Sequence, residues 1–297
     1  MLDYPALAAL SAVSREGSFE RAALRLGITP SAVSQRVRAL EERIGSVLVL
    51  RGQPCRPTEI GARLCAHADQ VRLLEEDVVA GLPQLATGSH RAATLRIAVN
   101  ADSLATWVPA ALAAFATATG ALVDLVLDDE AHTAEWLRSG EVLAAVTADP
   151  KPVQGCRLIT LGHLRYAACA APGFMARHFS EGMGAEALQA APHLRFDRRD
   201  QLQARWVRDV FRVNLDAPCH WVPSTQGFLD LGMAGLGWGM QLVSLAAPHL
   251  AGGRLVELVP DRPLDVQLHW QVTRLNAARL DALTAAMRAA AQQALRR

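Results

Sequence analysis

Between Thr29 and Ile44 lies a stretch whose residue types fit one kind of chemistry. Wrapped as a helix, it puts Val33, Val37, Leu40 and Ile44 on one face. Ser31, Ser34, Gln35 and Arg38 fall roughly opposite, with Arg36 at the margin. Hydroxyl, amide and guanidinium groups on one side of a helix match base edges and phosphates: Gln pairs with adenine, Arg with guanine or with phosphate oxygens. Small residues near the start let such a face sink into a major groove about 12 Å wide. The plain alternative is a polar face turned to water. Arg51 and Arg56, a few residues on, suit contacts to flanking phosphate.

A second set of polar residues sits where strands should end. Asn100, Asp102, Ser103 and Thr106 follow one β-prone run, and Asp128, Asp129 and Glu130 follow the next. Thr147 ends a third, and Asp197 and Ser224–Thr225 come later. In open α/β sheets, ligands bind beyond the carboxyl ends of strands. Backbone N–H groups at the helix start near Ser103 suit a ligand carboxylate. Asp128, Glu130 and Asp197 suit ammonium or guanidinium groups through charge-assisted hydrogen bonds. A cationic amino acid needs both kinds of partner. The competing explanation is that Asp, Ser and Thr after strands simply cap helices.

The elements that must carry these groups follow from periodicity. Leu7, Leu10 and Val13 have helical spacing, as do Phe19, Ala22, Ala23 and Leu26. Gly27 ends that second helix, Thr29 caps the third, Pro30 fits its first turn, and Gly45 stops it. Two helices joined by a short turn containing Gly form a helix-turn-helix candidate. Val47–Leu50 and the breaker-rich Arg51–Pro57 then predict a small hairpin, or wing. Thr58 caps a long helix over 58–81, with Ile60, Leu64, Ala68, Val71, Leu74, Val78 and Leu82 as a coiled-coil-like seam. A lone seam needs a partner, and a second copy is the simplest one.

Residues 83–93 read as a linker. From residue 95 the texture changes to strands at 95–101, 122–128 and 142–147 around helices at 103–119 and 133–139. This βαβαβ rhythm implies a parallel sheet. Further strands fit 157–162, 164–170, 218–223, 238–243, 254–259 and 266–274, with helices at 172–179, 201–212, 225–234 and 277–295. Two α/β halves with a cleft between them suit the length.

Composition sets the bounds. A chain of 297 residues with 51% hydrophobic and 20% charged residues can bury a sizeable core, so disorder is not expected. A small domain plus a larger one is the natural division. The formal net charge of +1 is uninformative, but residues 1–57 hold eight arginines against five acids, a modest footprint for phosphate. The five cysteines are scattered without a C-x-x-C pair, which suits a reducing compartment. With no signal-like or membrane-spanning run, a cytoplasmic protein without membrane contact is expected. Gly235-Leu-Gly-Trp-Gly239 lacks the dinucleotide spacing, Cys219-His220 has no matching metal pair, and no G-x-S-x-G elbow occurs. No cofactor or metal is expected.

Phe19-Glu-Arg-Ala-Ala23, Thr29-Pro-Ser-Ala-Val-Ser-Gln-Arg-Val-Arg-Ala-Leu-Glu41 and Arg56-Pro-Thr-Glu-Ile-Gly61 together resemble the LysR-type family of bacterial transcription regulators. The resemblance implies an α+β fold: an N-terminal winged helix-turn-helix (1–57), a long linker helix and hinge (58–92), and a periplasmic-binding-protein-like (type 2) effector domain (93–297). Its subdomains would be 93–163 with 266–297, and 164–265. It also implies a homodimer through the linker helix, assembly into a tetramer, a partly palindromic site on double-stranded DNA, and RNA polymerase as a further partner. Val99-Asn-Ala-Asp-Ser-Leu-Ala-Thr-Trp107, Gly140-Glu-Val142 and Phe196-Asp197 are similar to the ArgP/LysG (IciA) subgroup, which responds to lysine or arginine. Residues 233–242 are closer to the general family. Other readings stay open: a different metabolite, an oxidation switch at Cys169 and Cys219, or an α/β enzyme using Asp128, Asp129 or Glu130. No nucleophile–base pair supports the last.

Overall fold

The computed structural model describes residues 2–80, 94–128, 133–275 and 278–297. Capping residues set the first three helices. The Asp3 carboxylate accepts the Ala6 N–H at 3.2 Å and starts α1 (Tyr4–Glu16). Ser18 starts α2 (Phe19–Leu26), and Thr29 starts α3 (Pro30–Ile44) by accepting the Ala32 N–H at 3.2 Å. Gly27 and Gly45 end the second and third in left-handed conformation. The helices close on Leu7, Leu10, Val13, Val33, Val37 and Leu40. The wing is a short antiparallel pair, β1 (Val49–Leu50) with β2 (Arg56–Pro57).

Next comes α4 (Glu59–Ala80). Thr58 accepts the Gly61 N–H at 3.1 Å and donates to the Val47 carbonyl at 2.9 Å, tying the helix start to the wing. A Cβ on Gly61 would stand 2.1 Å from the Leu48 carbonyl oxygen, so only glycine allows this approach. The expected seam is divided in this chain. Leu64 and Ala68 pack on the helical head, whereas Ile60, Leu74 and Val78 are exposed. Leu73, off the seam, is buried against the α/β core. Leu82 lies outside the described residues.

The α/β part runs β3 (Thr94–Asn100), α5 (Ala101–Thr106), α6 (Val108–Thr119), β4 (Leu122–Asp128), α7 (Thr133–Arg138), β5 (Ala144–Thr147) and β6 (Cys156–Ala170). It continues with α8 (Pro172–His178), α9 (Ala185–Ala190), β7 (His193–Arg195), α10 (Leu202–Phe211), β8 (Cys219–Trp221), α11 (Thr225–Met233) and β9 (Gly239–Leu242). It closes with α12 (Val243–Ala251), β10 (Val256–Glu257), β11 (Leu264–Thr273) and α13 (Ala278–Ala294). Among the described residues, the main sheet has the order β10-β6-β11-β5-β3-β4, with β9 also on β6. β3 is parallel to β4 and β5, while β11 is antiparallel to β5 and β6. A parallel β7–β8 pair lies apart in the second lobe. Of the four tryptophans that read in sequence as packing residues, Trp206, Trp238 and Trp270 are fully buried in the core, whereas Trp221 is 43% exposed.

Several expected elements are corrected. The strands expected at 157–162 and 164–170 are one strand, β6, with a bulge opposite Leu268–His269. The expected 163/164 and 265/266 boundaries fall within β6 and β11, which is compatible with two subdomains joined by crossover strands. The helix expected over 103–119 is broken at Trp107 into α5 and α6, with Pro109 in the first turn of the second. The sequence reading omitted α9, α12 and β7. Two are short, and α12 carries Pro248 inside it. The glycine run at 235–239 serves packing: a Cβ on Gly239 would meet the Phe228 ring at 2.6 Å.

Candidate nucleic-acid interface and ligand cleft

On α3 the aliphatic side is sealed, with Val33, Val37 and Leu40 buried. Ser31, Gln35, Arg36 and Arg38 are exposed and Ser34 is half-buried, so the polar side faces outward from the protein. Arg38 carries an exposed ion pair with Glu42 one turn on, at 3.0 Å. Such a pair is weak and a phosphate or base can replace it. Arg51 lies over the Phe19 ring at 5.4 Å, which ties the wing to α2. Arg56 is exposed. Sequence reasoning missed Glu41, whose Oε1 accepts the Leu48 N–H at 2.8 Å and the Val49 N–H at 3.3 Å. That carboxylate fixes the wing relative to α3.

In the α/β part, the described residues expected at the strand ends separate into four groups. The first bridges the lobes. Asp102, in α5, accepts from the Tyr166 hydroxyl at 2.7 Å and from the Thr225 hydroxyl at 2.8 Å. The second also bridges them: Asp128 and Asp197 both take the guanidinium of Arg199. The third is engaged locally. Thr106 donates to the Asp102 carbonyl at 2.6 Å, and Thr147 accepts the Asp149 N–H at 3.0 Å. These two hydroxyls serve backbone, as the capping alternative expects. In the fourth, Asn100 and Ser103 are almost fully buried, and neither the Asn100 amide nor the Ser103 hydroxyl has a hydrogen-bond partner among the described residues. Asp129 and Glu130 lie outside the described residues.

A small cavity of about 40 Å³ opens between the lobes. Asp102 and Thr225 line it, with Tyr166 from the crossover strand β6 and Phe196, Asp200, Gln203 and Gln241 from the second lobe. Phe228, Met240 and Leu242 supply apolar walls. Burial pushes the Asp200 carboxyl up; the N–H groups of Phe196 and Leu202 and the nearby Gln203 amide pull it back. Among the described residues the buried Gln203 amide makes no hydrogen bond of ordinary geometry, although it lies near enough to Asp200 to favour the charged carboxylate. Tyr166, Asp200, Gln203 and Gln241 were missed from sequence. The charged run Asp197-Arg-Arg-Asp200 between a strand and a helix is the signal that pointed there. Burial pushes the Cys169 thiol up to about 12 and also raises that of Cys219, the opposite of what an activated thiol needs.

An exposed hydrogen-bonding helix with a wing, joined to a two-lobed α/β unit enclosing a polar cavity, defines the class: a helix-turn-helix regulator carrying a small-molecule-binding domain. The chain belongs to the LysR family. Residues 5–62 match the bacterial regulatory helix-turn-helix protein of the lysR family, and residues 88–296 match the LysR substrate binding domain. It is 45% identical to the HTH-type transcriptional regulator LysG of Mycobacterium tuberculosis over 290 residues, covering 98% of this chain and 94% of that one. The crystal structure of ArgP from Mycobacterium tuberculosis superposes with a TM-score of 0.82 at 43% identity, covering 100% of this chain and 99% of that one. Full-length LysG from Corynebacterium glutamicum with bound effector Arg gives 0.71 at 40% identity, covering 100% of each chain. These relatives are named as transcriptional regulators, not enzymes. No helix among the described residues is long and apolar enough to cross a membrane.

Proposed function

We propose that this chain is a cytoplasmic transcription regulator that reads duplex DNA with α3 and responds to lysine or arginine bound in the cleft. One observation carries the ligand assignment: a cavity between lobes lined by Asp102, Asp200 and a buried Gln203 whose amide makes no hydrogen bond of ordinary geometry among the described residues. Buried polar groups without partners are costly unless a ligand supplies them. The aliphatic stem of a basic amino acid suits the Phe228, Met240 and Leu242 walls, and its ends suit carboxylate and amide groups. The effector Arg in the Corynebacterium glutamicum LysG structure supports the same ligand class.

In this reading Ser31, Ser34, Gln35, Arg36 and Arg38 face the groove, while Arg51 and Arg56 hold phosphate. Asn100, Ser103, Asp102, Asp128, Asp197 and Thr225 surround the effector; Glu130, expected with them, lies outside the described residues. Residues 1–57 form the DNA-binding part, 58–92 the dimer-forming linker and 93–297 the effector part. The exposed Ile60, Leu74 and Val78 suit pairing with a second copy, and two heads then suit a partly palindromic site. A tetramer and contact with RNA polymerase complete the proposal. The test is a thermal scan of the full chain against all twenty amino acids. Ligand at a hundred times its dissociation constant should stabilise by about 2.7 kcal/mol. Shifts confined to arginine and lysine support the assignment; no shift with either refutes it.

A further inference from the structure

The reading of the cleft as a basic amino-acid site, on which this inference rests, sends a ligand cation toward Asp128 and Asp197. In the structure both carboxylates already hold a cation that the chain supplies. Arg199 Nη2 donates to Asp128 Oδ1 at 2.5 Å and to Asp197 Oδ2 at 3.3 Å, and Nε donates to the same Asp197 oxygen at 3.4 Å. Asp128 ends β4 in the first lobe, whereas Arg199 lies on the loop before α10 in the second.

Both acceptors are held in place. Trp136 Nε1 donates to the other Asp128 oxygen at 3.0 Å, and this carboxylate is only 15% exposed. Asp197 Oδ1 accepts the backbone N–H groups of Arg199 at 2.7 Å and of Asp200 at 3.0 Å, so the loop folds around it. On either side of this turn, Phe196 and Asp200 line the cavity. Arg199 itself is half exposed, which makes its pairing breakable.

We propose that Arg199 is a tethered competitor of the effector: its guanidinium occupies the acidic pair that a basic amino acid takes, and it latches the lobes while the cleft is empty. An arginine side chain offers these carboxylates the same planar donors as free arginine. Because it is tethered, it competes at high effective concentration. The ligand therefore meets a site that is free for only a fraction of the time, and its apparent affinity falls by that fraction. Binding exchanges one guanidinium or ammonium for another and frees the 196–200 loop.

The test is equilibrium dialysis of radiolabelled L-arginine against the full chain, in the natural form and as Arg199→Ala and Arg199→Lys. Removing the competitor should tighten binding about three- to tenfold, with Arg199→Lys close to the natural chain. Unchanged or weaker binding by Arg199→Ala, with arginine still bound by the natural chain, would overturn the latch and leave the ligand assignment standing. If no form retains arginine or lysine, the ligand assignment itself is wrong and the latch goes with it.

Discussion

The head and the cleft hold their polar residues in opposite ways. On α3, Gln35, Arg36 and Arg38 stand in solvent on a helix whose other side is sealed by Val33, Val37 and Leu40. In the α/β half, Asn100, Ser103 and the cavity-lining Gln203 are buried, with side-chain polar atoms that make no hydrogen bond of ordinary geometry among the described residues. An exposed face costs folding nothing and waits for a partner that brings its own groove. A buried unpartnered group costs about 1–3 kcal/mol, so a site built that way is completed by what it encloses. The head is therefore a finished surface, and the cleft is an unfinished interior.

This contrast breaks first at Gly61. If the head is a rigid display, a side chain there must displace the Leu48 backbone and loosen wing and α3 together. Gly61→Val should destabilise the head by about 3 kcal/mol. The tryptophans all lie beyond residue 100, so their emission reports the α/β half alone. Helical circular dichroism should fall at lower urea while tryptophan emission keeps its midpoint. Coincident loss of both would mean the halves are not independent.

The α/β half carries a pH liability instead. Burial, then the neighbouring Arg195, lowers the His193 pKa to about 4. The unfolded chain takes up a proton near pH 6.5 that the folded one refuses until about 4. Stability is thus complete above 6.5 and lost as pH falls toward 4, by up to roughly 3 kcal/mol. Tryptophan-monitored urea midpoints at pH 7 and 4.5 should diverge, and His193→Gln should bring them together.

Smaller effects sharpen the contrast. Gln35→Ala should cost about tenfold in specific DNA affinity, near 1.4 kcal/mol, without moving the melting temperature. Arg56→Ala should weaken all sequences alike and reduce the salt slope by about one. Gln203→Leu should do the reverse of a surface mutation: it should stabilise the empty protein by about 1 kcal/mol and abolish stabilisation by arginine. Equal melting curves with arginine for Gln203→Leu and the natural chain would remove Gln203 from the site.

The head was legible because its signals are contiguous. Thr29, Pro30, Gly27 and Gly45 are caps and stops within one short stretch, and the 3.6 periodicity of α3 assigns both faces. What escaped there needs two segments to meet: Glu41 reaching Leu48, and Gly61 passing under the wing. The cleft was legible only as a region. Asp102 and Thr225 meet across 123 residues of chain, a pairing no local pattern encodes. Thr106 and Thr147 have the composition of ligand donors, yet their hydroxyls satisfy nearby backbone. Tyr166 stands on a long strand that the bulge disguised as two. Arg199, the cation facing Asp128, reads in sequence as one more surface arginine.

The central claim is that the finished surface and the unfinished interior are coupled, so that filling one alters the other. The direct measurement is fluorescence anisotropy of the full chain on duplexes it selects from random sequence, with and without L-arginine or L-lysine. The account predicts a several-fold change in DNA affinity with either basic amino acid and none with alanine or glutamate, matched by an equal change in amino-acid affinity when DNA is bound. Superimposable isotherms at saturating arginine and lysine would contradict it.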